Sequence, residues 1–519
     1  MAAEAAYREA IEAGDRDAWN GLGQLLAKQL GREEEAEAAY REAIEANNKY
    51  ARRNLGLLLG MLGRSEEAIA VYDELIARDG DRDELALREQ VAQALVNKGV
   101  TLGVLGRSEE EIAVYDELIA RHGDRDELAL REQVAHALVN KGFRLGELGR
   151  SEEEIAVYDE LIARDGDRDE LTLRKQVANA LYNKGVTLGD LGRPEQEIAV
   201  YDELIARDGD RDELALREQV ANALVNKGFR LGELGRSEEA IVVYDELIAR
   251  DGDRDELALR DPVANALFNK GFRLGVLGRS EEEIVVYDEL IARDGDRDEL
   301  ALREQVANAL VNKGVTLGEL GRSEQEIAVY DELIARDGDR DELTLRKQVA
   351  KALYNKGATL GDLGRPEQAI AVYDELIARD GDRDELTLRK QVAKALFNKG
   401  FTLGVLGRSE EAEVAYREAI AASDSDQIVG AAATNLGDLL ARQGDLAGAR
   451  AAYETGVRAF ARRRGADLSD STIARLARLW TAVASRPWLL RLNRLLCAAI
   501  CRLGPALTRT WQRARRHLE

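Results

Sequence analysis

Carboxylates at alternate positions are the first residues in this chain with a spacing that could do chemistry. Asp79-Gly80-Asp81-Arg82-Asp83, which returns with little change along the sequence, is spaced like the opening of a calcium loop. Such a loop also needs glycine at its sixth position and a bidentate glutamate at its twelfth. Those positions hold Glu84 and Gln90, so the stretch reads as a capped, solvated turn and no metal site is expected. The three histidines, His122, His136 and His517, are scattered and bring no cysteine at ligand spacing. His122 and His136 stand where another copy of the same segment carries Asp79 and Gln93. Cys497 and Cys501 fall on one helical face and read as two buried thiols. A glycine-rich phosphate loop and a nucleophile elbow are both missing. The many Asp and Glu sit at cap and surface positions, whereas acid–base catalysis needs carboxylates paired in a cleft. No catalytic residue and no cofactor is expected, and the chain reads as a non-enzyme.

Recognition chemistry remains. Asparagine recurs at Asn97, Asn140, Asn183, Asn226, Asn269, Asn312, Asn355 and Asn398, every 43 residues. An amide offers two donors and an acceptor, enough to pair with the backbone of an extended peptide. Asparagine is also a mediocre residue for a helix interior, so eight copies at one position need a reason. A partner's backbone, a bond to a neighbouring helix of the fold, and copying by recent duplication all satisfy the pattern.

The elements that position these amides follow from the same period. Tyr72, Tyr115, Tyr158, Tyr201, Tyr244, Tyr287, Tyr330, Tyr373 and Tyr416 are also 43 apart, the signature of a repeat array in which each unit buries its apolar face on the next. In one unit, Leu87, Val91, Ala94, Leu95, Leu102 and Leu105 recur at mostly three- and four-residue steps, predicting a helix from Asp83 to about Leu105. Asp81 or Asp83 can cap its start, and Gly106 suits the left-handed residue that ends a helix. Ser108 with Glu111 reads as a capping box, opening a second helix whose apolar face is Ile112, Tyr115, Leu118 and Ile119. Two antiparallel helices and a tight turn form the unit.

The segment Ala94-Leu95-Val96-Asn97-Lys98-Gly99, then Leu102, Gly106, Glu110, Ile112, Tyr115 and Leu118, resembles the tetratricopeptide repeat, with Gly99 at its small position and Tyr115 at its aromatic. Departures are visible. Glu111, Glu154 and Glu197 stand where the family has a small residue that Ala68, Ala240 and Ala369 keep. Gly123 replaces the usual proline, and the period is 43 rather than 34. The nine extra residues read as about 2.5 turns added to the start of the first helix. The resemblance covers residues 1–460: Tyr7, Tyr40 and Tyr72 are spaced by 33 and 32, and a last unit holds Asn435 and Tyr453. The first unit is incomplete, because Met1 to Ala13 already reads as a second helix; its open face is a candidate for self-association.

The resemblance implies an all-α, right-handed superhelical solenoid of α-hairpins that binds a protein or peptide in its concave groove. It also assigns to the groove the sets led by Gln93, Val96, Asn97, Val100 and Val104. The Val100 set includes Phe143, Phe229, Phe272 and Phe401; the Val96 set includes Tyr182, Phe268, Tyr354 and Phe397. Apolar pockets beside amides suit a peptide or helix. Glu147, Asp190, Glu233, Glu319 and Asp362 at the Val104 site, with Arg144, Arg230 and Arg273, make the groove mixed in charge; the alternative is an ordinary solvated helix surface. The Lys98 series sits beside the asparagines and would form a carboxylate clamp only if several bases converged.

Four segments result: residues 1–75 with repeats of ordinary length, 76–425 with extended repeats, 426–460 with a last repeat, and a tail over 461–519. From Arg458 on the chain has 14 arginines, no lysine and three acids, a net +11, which leaves −35 on residues 1–457 against −24 overall. An acidic body repels nucleic acid, which is not expected as a partner. In the tail, Trp480, Trp488 and Trp511 accompany Arg491 and Arg494 around an apolar stretch. It can cap the last repeat, lie on an anionic membrane surface or meet another partner. The chain thus reads as a cytoplasmic scaffold, with a membrane-associated assembly factor docked by its tail as the alternative. The acidic first residues have no apolar core of signal-peptide type, and no run of 18 or more apolar residues free of charge appears, so no clear membrane span is expected.

Overall fold

The computed structural model describes residues 2–29, 31–463, 474, 476–478 and 481. Among the described residues all regular structure is α-helical. The first helices are α1 (Ala2–Glu12), α2 (Ala18–Ala27), α3 (Glu33–Glu45), α4 (Ala51–Met61) and α5 (Ser65–Asp79). The extended hairpins follow as α6 (Leu85–Val104) with α7 (Ser108–His122), α8 (Leu128–Glu147) with α9 (Ser151–Asp165), α10 (Leu171–Asp190) with α11 (Pro194–Asp208), and α12 (Leu214–Glu233) with α13 (Ser237–Asp251). Next come α14 (Leu257–Val276), α15 (Ser280–Asp294), α16 (Leu300–Glu319), α17 (Ser323–Asp337), α18 (Leu343–Asp362), α19 (Pro366–Asp380), α20 (Leu386–Val405), α21 (Ser409–Ala422), α22 (Asp426–Gln443) and α23 (Leu446–Arg463). The chain divides into two units, residues 1–263 and 264–519.

In the first unit α6 packs on α7, α8 on α9 and α10 on α11, and the first helices of neighbouring hairpins also touch, α6 with α8 and α8 with α10. The second unit repeats the scheme, with α16 on α17, α18 on α19 and α16 beside α18. The extended first helices have 20 residues against 11 in α4. Aligned on Asn54 and Asn97, both helices end seven residues later, so the nine-residue difference lies wholly at the N-terminal end.

A first helix is covered on most of its girth, by its own second helix and by first helices on either side; this explains why Val91, Ala92, Ala94, Leu95 and Leu102 are all buried. From Tyr40 on, each second-helix tyrosine is buried against a glycine of the preceding helix. A Cβ at Gly185 would lie 2.7 Å from Cζ of Tyr201, so only glycine lets the ring lie flat on the backbone.

Gly106 ends α6 with φ +71. Its N–H donates to the Gly103 carbonyl at 3.0 Å and the Arg107 N–H to the Leu102 carbonyl at 2.9 Å, the paired bonds of a Schellman end. The expected capping box is not formed. Ser108 is already the first helical residue, Arg107 precedes it, and no side chain caps the helix. Glu111 is buried and turned to Arg144 instead. Nor does Asp83 cap α6: Glu84 holds the cap position in extended conformation, and the Asp83 carboxylate accepts from Arg88 at 2.8 Å.

That arginine belongs to a buried ladder. At the open end of each extended hairpin an arginine near the start of the first helix meets the aspartate that ends the second. Nε of Arg174 donates to Asp208 Oδ1 at 3.0 Å, and Nη2 donates to the Arg207 carbonyl at 2.8 Å. Arg131 with Asp165 and Arg217 with Asp251 repeat this in the first unit, Arg303 with Asp337 and Arg346 with Asp380 in the second. All five aspartates are fully buried. They occupy the first position of the calcium-like turn, so their charge is already committed to a guanidinium.

The hairpin of α20 and α21 lacks the aspartate, Arg389 meeting the exposed Asp424 instead, and in α7 a histidine breaks the ladder. His122 takes the aspartate's place at the end of α7; it is buried, and neither ring nitrogen has a hydrogen-bond partner. Burial holds its pKa below the usual histidine value, helped by Arg121, Arg125 and Arg88 and opposed by Glu127. A buried unsatisfied group costs about 1–3 kcal/mol, and His122→Asp, which restores the partner for Arg88, is expected to stabilise the protein by about that amount. The pH response gives a second readout. The folded pKa lies below the unfolded one, so the unfolded state takes up protons first, and stability is lost as pH falls below about 6.5. His122→Asp should remove that loss from pH 6.5 to 5. Thermal melts at both pH values check it; equal acid sensitivity of the two proteins would refute the assignment.

A candidate binding surface on the first helices

The sequence-derived groove residues fall on one strip of each first helix. Asn97 and its counterparts are half-buried, and Phe143, Phe229, Phe272 and Phe401 are exposed. In the first unit Phe143 is 55% exposed and Phe229 44%, with Val100 and Val186 at the matching positions of α6 and α10 also exposed. In the second unit Phe272 and Phe401 are 45% and 53% exposed. Exposure of large apolar side chains at a repeated position marks a surface that can exclude water with a partner.

The asparagines have internal partners. Nδ2 of Asn140 donates to the Tyr115 hydroxyl at 3.4 Å, and Asn312, Asn355 and Asn398 do the same to Tyr287, Tyr330 and Tyr373. Asn226 reaches both Tyr201 and Tyr182 at 3.3 Å. Tyr115, Tyr201, Tyr287, Tyr330 and Tyr373 are each buried in the preceding second helix, where desolvation raises the pKa; the amide helps to satisfy the buried hydroxyl, which at Tyr115 also donates to Glu111 at 3.3 Å. One amide N–H is thereby engaged. The series extends beyond the eight positions read from the sequence. Asn435 donates to Tyr416 at 3.4 Å, and in the shorter repeats Asn54 donates to Asn20 Oδ1 at 2.9 Å. Asn54 was findable, because it stands 43 residues before Asn97.

The Lys98 series does not converge. Lys98 pairs with Asp73 at 2.6 Å, Lys141 with Asp116 at 2.5 Å, Lys184 with Asp159 at 2.5 Å and Lys399 with Asp374 at 2.5 Å. Each lysine is thus neutralised by the preceding second helix rather than gathered around one ligand position. Arg144 and Arg230 are likewise engaged, with Glu111 and Glu197.

At the N-terminus α1 has no buried residue, although Tyr7 seats on Gly21 of α2. Tyr7, Asn20, Asn48 and Tyr50 border an open cleft beside it. Trp480, Trp488, Arg491, Arg494 and Trp511 lie outside the described residues. The nearby Ala477 is fully buried in the cluster built on Tyr416, Tyr453 and Val457, with Leu476 against it. Among the described residues no helix is long and apolar enough to cross a membrane.

Two tetratricopeptide repeat profiles match the sequence, one over residues 1–51, 30–83, 53–126 and 397–464, the other over 178–211 and 350–383. No curated protein sequence matches the chain. Solved structures with a similar fold include the apo form of RapI, at 12% identity over 73% of this chain and all of that one, with a TM-score of 0.43. The apo quorum sensor NprR from B. thuringiensis follows at 13% identity over 72% and 97%, with a TM-score of 0.37. A tetratricopeptide repeat protein from Parabacteroides merdae matches at 14% identity over 57% and 97%, with a TM-score of 0.31. The glycine-seated tyrosines, the left-handed glycine between paired helices and profile matches that together span about half of the sequence agree: the chain belongs to the tetratricopeptide repeat family.

Proposed function

We propose that this protein is a non-enzymatic scaffold that binds a peptide or protein on the strip formed by its first helices. The observation that carries this reading is the exposed Phe143 and Phe229 in one unit and Phe272 and Phe401 in the other, each three residues beyond a half-buried asparagine. The phenylalanines supply apolar contact area. The amide carbonyls, with the second N–H where a single tyrosine is bonded as at Asn140, are left to read a partner's backbone.

The test is affinity capture by the full-length protein from lysate of its own cells. Replacing the four phenylalanines by serine is expected to remove the captured proteins. Replacing Val242 and Val285, exposed on second helices, by serine should leave them bound. An unchanged set after the phenylalanine substitutions would end this reading.

A further inference from the structure

A slot recurs between the two helices of a hairpin, and the molecule itself shows what fits it. In α6 the backbone of Gly103 leaves a notch: a Cβ there would lie 2.6 Å from Glu111 Oε2 and 2.6 Å from Arg144 Nη2. Glu111 is buried in the notch, and Arg144 from α8 lies against it, Nε 2.5 Å from Oε2, while also pairing with Glu147. The hairpin of α10 and α11 does the same at Gly189. Arg230 donates through Nε to Glu197 at 2.5 Å and through Nη1 to Glu233 at 2.6 Å. One guanidinium bridges a buried and an exposed carboxylate.

Three other slots have both carboxylates and no guanidinium. Glu154 with Asp190 over Gly146, Glu283 with Glu319 over Gly275, and Glu326 with Asp362 over Gly318 occupy the same positions, but Thr187, Thr316 and Thr359 replace the arginine. The three glutamates are only 6–7% exposed. Glu326 accepts a hydrogen bond from the Thr359 hydroxyl at 2.8 Å, a neutral partner. Among the described residues no lysine or arginine pairs with any of the six carboxylates. The three atoms nearest a Cβ at Gly146, Gly275 or Gly318 all belong to the glutamate, whereas an arginine nitrogen is among them at Gly103 and Gly189. Where alanine replaces the glutamate, as at Ala369, a Cβ on the matching Gly361 would meet nothing. Desolvation and the neighbouring carboxylate both raise the pKa of the three buried acids, as they do for Glu111 and Glu197, so the missing arginine is read from the geometry alone.

We propose that these three slots bind arginine side chains of a partner, so that the ligand of the first-helix strip is a basic, arginine-bearing peptide segment. The inference rests on the scaffold reading above and names the chemistry of its partner. A planar guanidinium can bridge two carboxylates with charge-assisted bonds, which a lysine's point charge does less well. Arg144 and Arg230 are internal copies of that ligand.

The experiment is fluorescence anisotropy on the full-length protein with a fluorescein-labelled peptide of alternating arginine and glycine, against the same peptide made with citrulline. The citrulline peptide is expected to bind at least about tenfold more weakly, the loss of charge-assisted bonds. The triple variant T187R/T316R/T359R fills each slot from within and should lower affinity by about tenfold or more, while melting no lower than the wild type. The variant E160Q/E289Q/E332Q makes the same net charge change on exposed second-helix positions and should stay within about threefold. Equal weakening by the two triple variants, equal binding of the citrulline peptide, or no binding of the arginine peptide would each overturn the proposal. If that happens while the phenylalanine substitutions still abolish capture, the scaffold reading stands and only the arginine slots fall.

Discussion

Replacing Asp208 by alanine is expected to cost about 3 kcal/mol, because it breaks a buried ion pair and leaves Arg174 with only the exposed Asp169, 2.9 Å from its Nη1, as counterion. The aspartate is fully buried and two arginines lean on it. Arg174 bonds to it directly, and Arg207, whose side-chain nitrogens have no hydrogen-bond partner, is held by its charge. Asp208→Asn keeps an acceptor and loses the charge, so its cost should fall between those of alanine and wild type. Joint replacement of Arg174 by methionine and Asp208 by leucine should recover most of the loss, since a buried pair exchanged for apolar groups of similar size is often neutral. Repeat arrays couple mainly between neighbours, so hydrogen exchange should accelerate in α10 and α11 and stay unchanged in α2 and α3. A urea midpoint unaltered by Asp208→Ala would show that the ladder contributes nothing.

This ladder also shows what could be read from the sequence and what could not. The periodic tyrosines and Gly106 predict paired helices, and the structure has them; their signal is local, set by helix periodicity and by a left-handed turn. The added turns on the first helix were legible from the period alone. The helix starts were not. Asp83 and Ser108 have the chemistry of caps, yet Asp83 goes to Arg88 and Ser108 lies one position inside the helix. Arg88, five residues on, takes Asp83, and Arg144 of the next hairpin takes Glu111, the other half of the expected capping box. A clue to the ladder was nonetheless present. An aspartate at the C-terminal end of a helix opposes the helix dipole, so Asp165, Asp208 and Asp251 called for a cation, and an arginine recurs with the same period in the apolar start of each first helix. The amides were visible as a ladder, but their bond to a tyrosine hydroxyl of the preceding hairpin depends on how hairpins stack. Likewise the glutamate that replaces the family's small residue looked like a tolerated departure, whereas the notch at Gly103 shows where its side chain goes.

The second large effect is expected at the tyrosine beneath each first helix. Tyr201 is completely buried, and Tyr201→Ala should cost about 3–5 kcal/mol through lost burial and the cavity left behind. Gly185 is the other half of that contact. In the wild-type background Gly185→Ala drives a methyl into the ring, 2.7 Å from Cζ before any relaxation, and overpacking of this kind costs about 1–3 kcal/mol. In the Tyr201→Ala background the same methyl enters vacated space and carries only the helix-propensity gain of alanine over glycine, about 1 kcal/mol. The sign of one substitution therefore reverses with the identity of its neighbour. A double-mutant cycle read by chemical denaturation measures this. Additive effects would mean that the glycine is retained for some reason other than the ring, and the close approach that seats each second helix on its partner would lose its explanation.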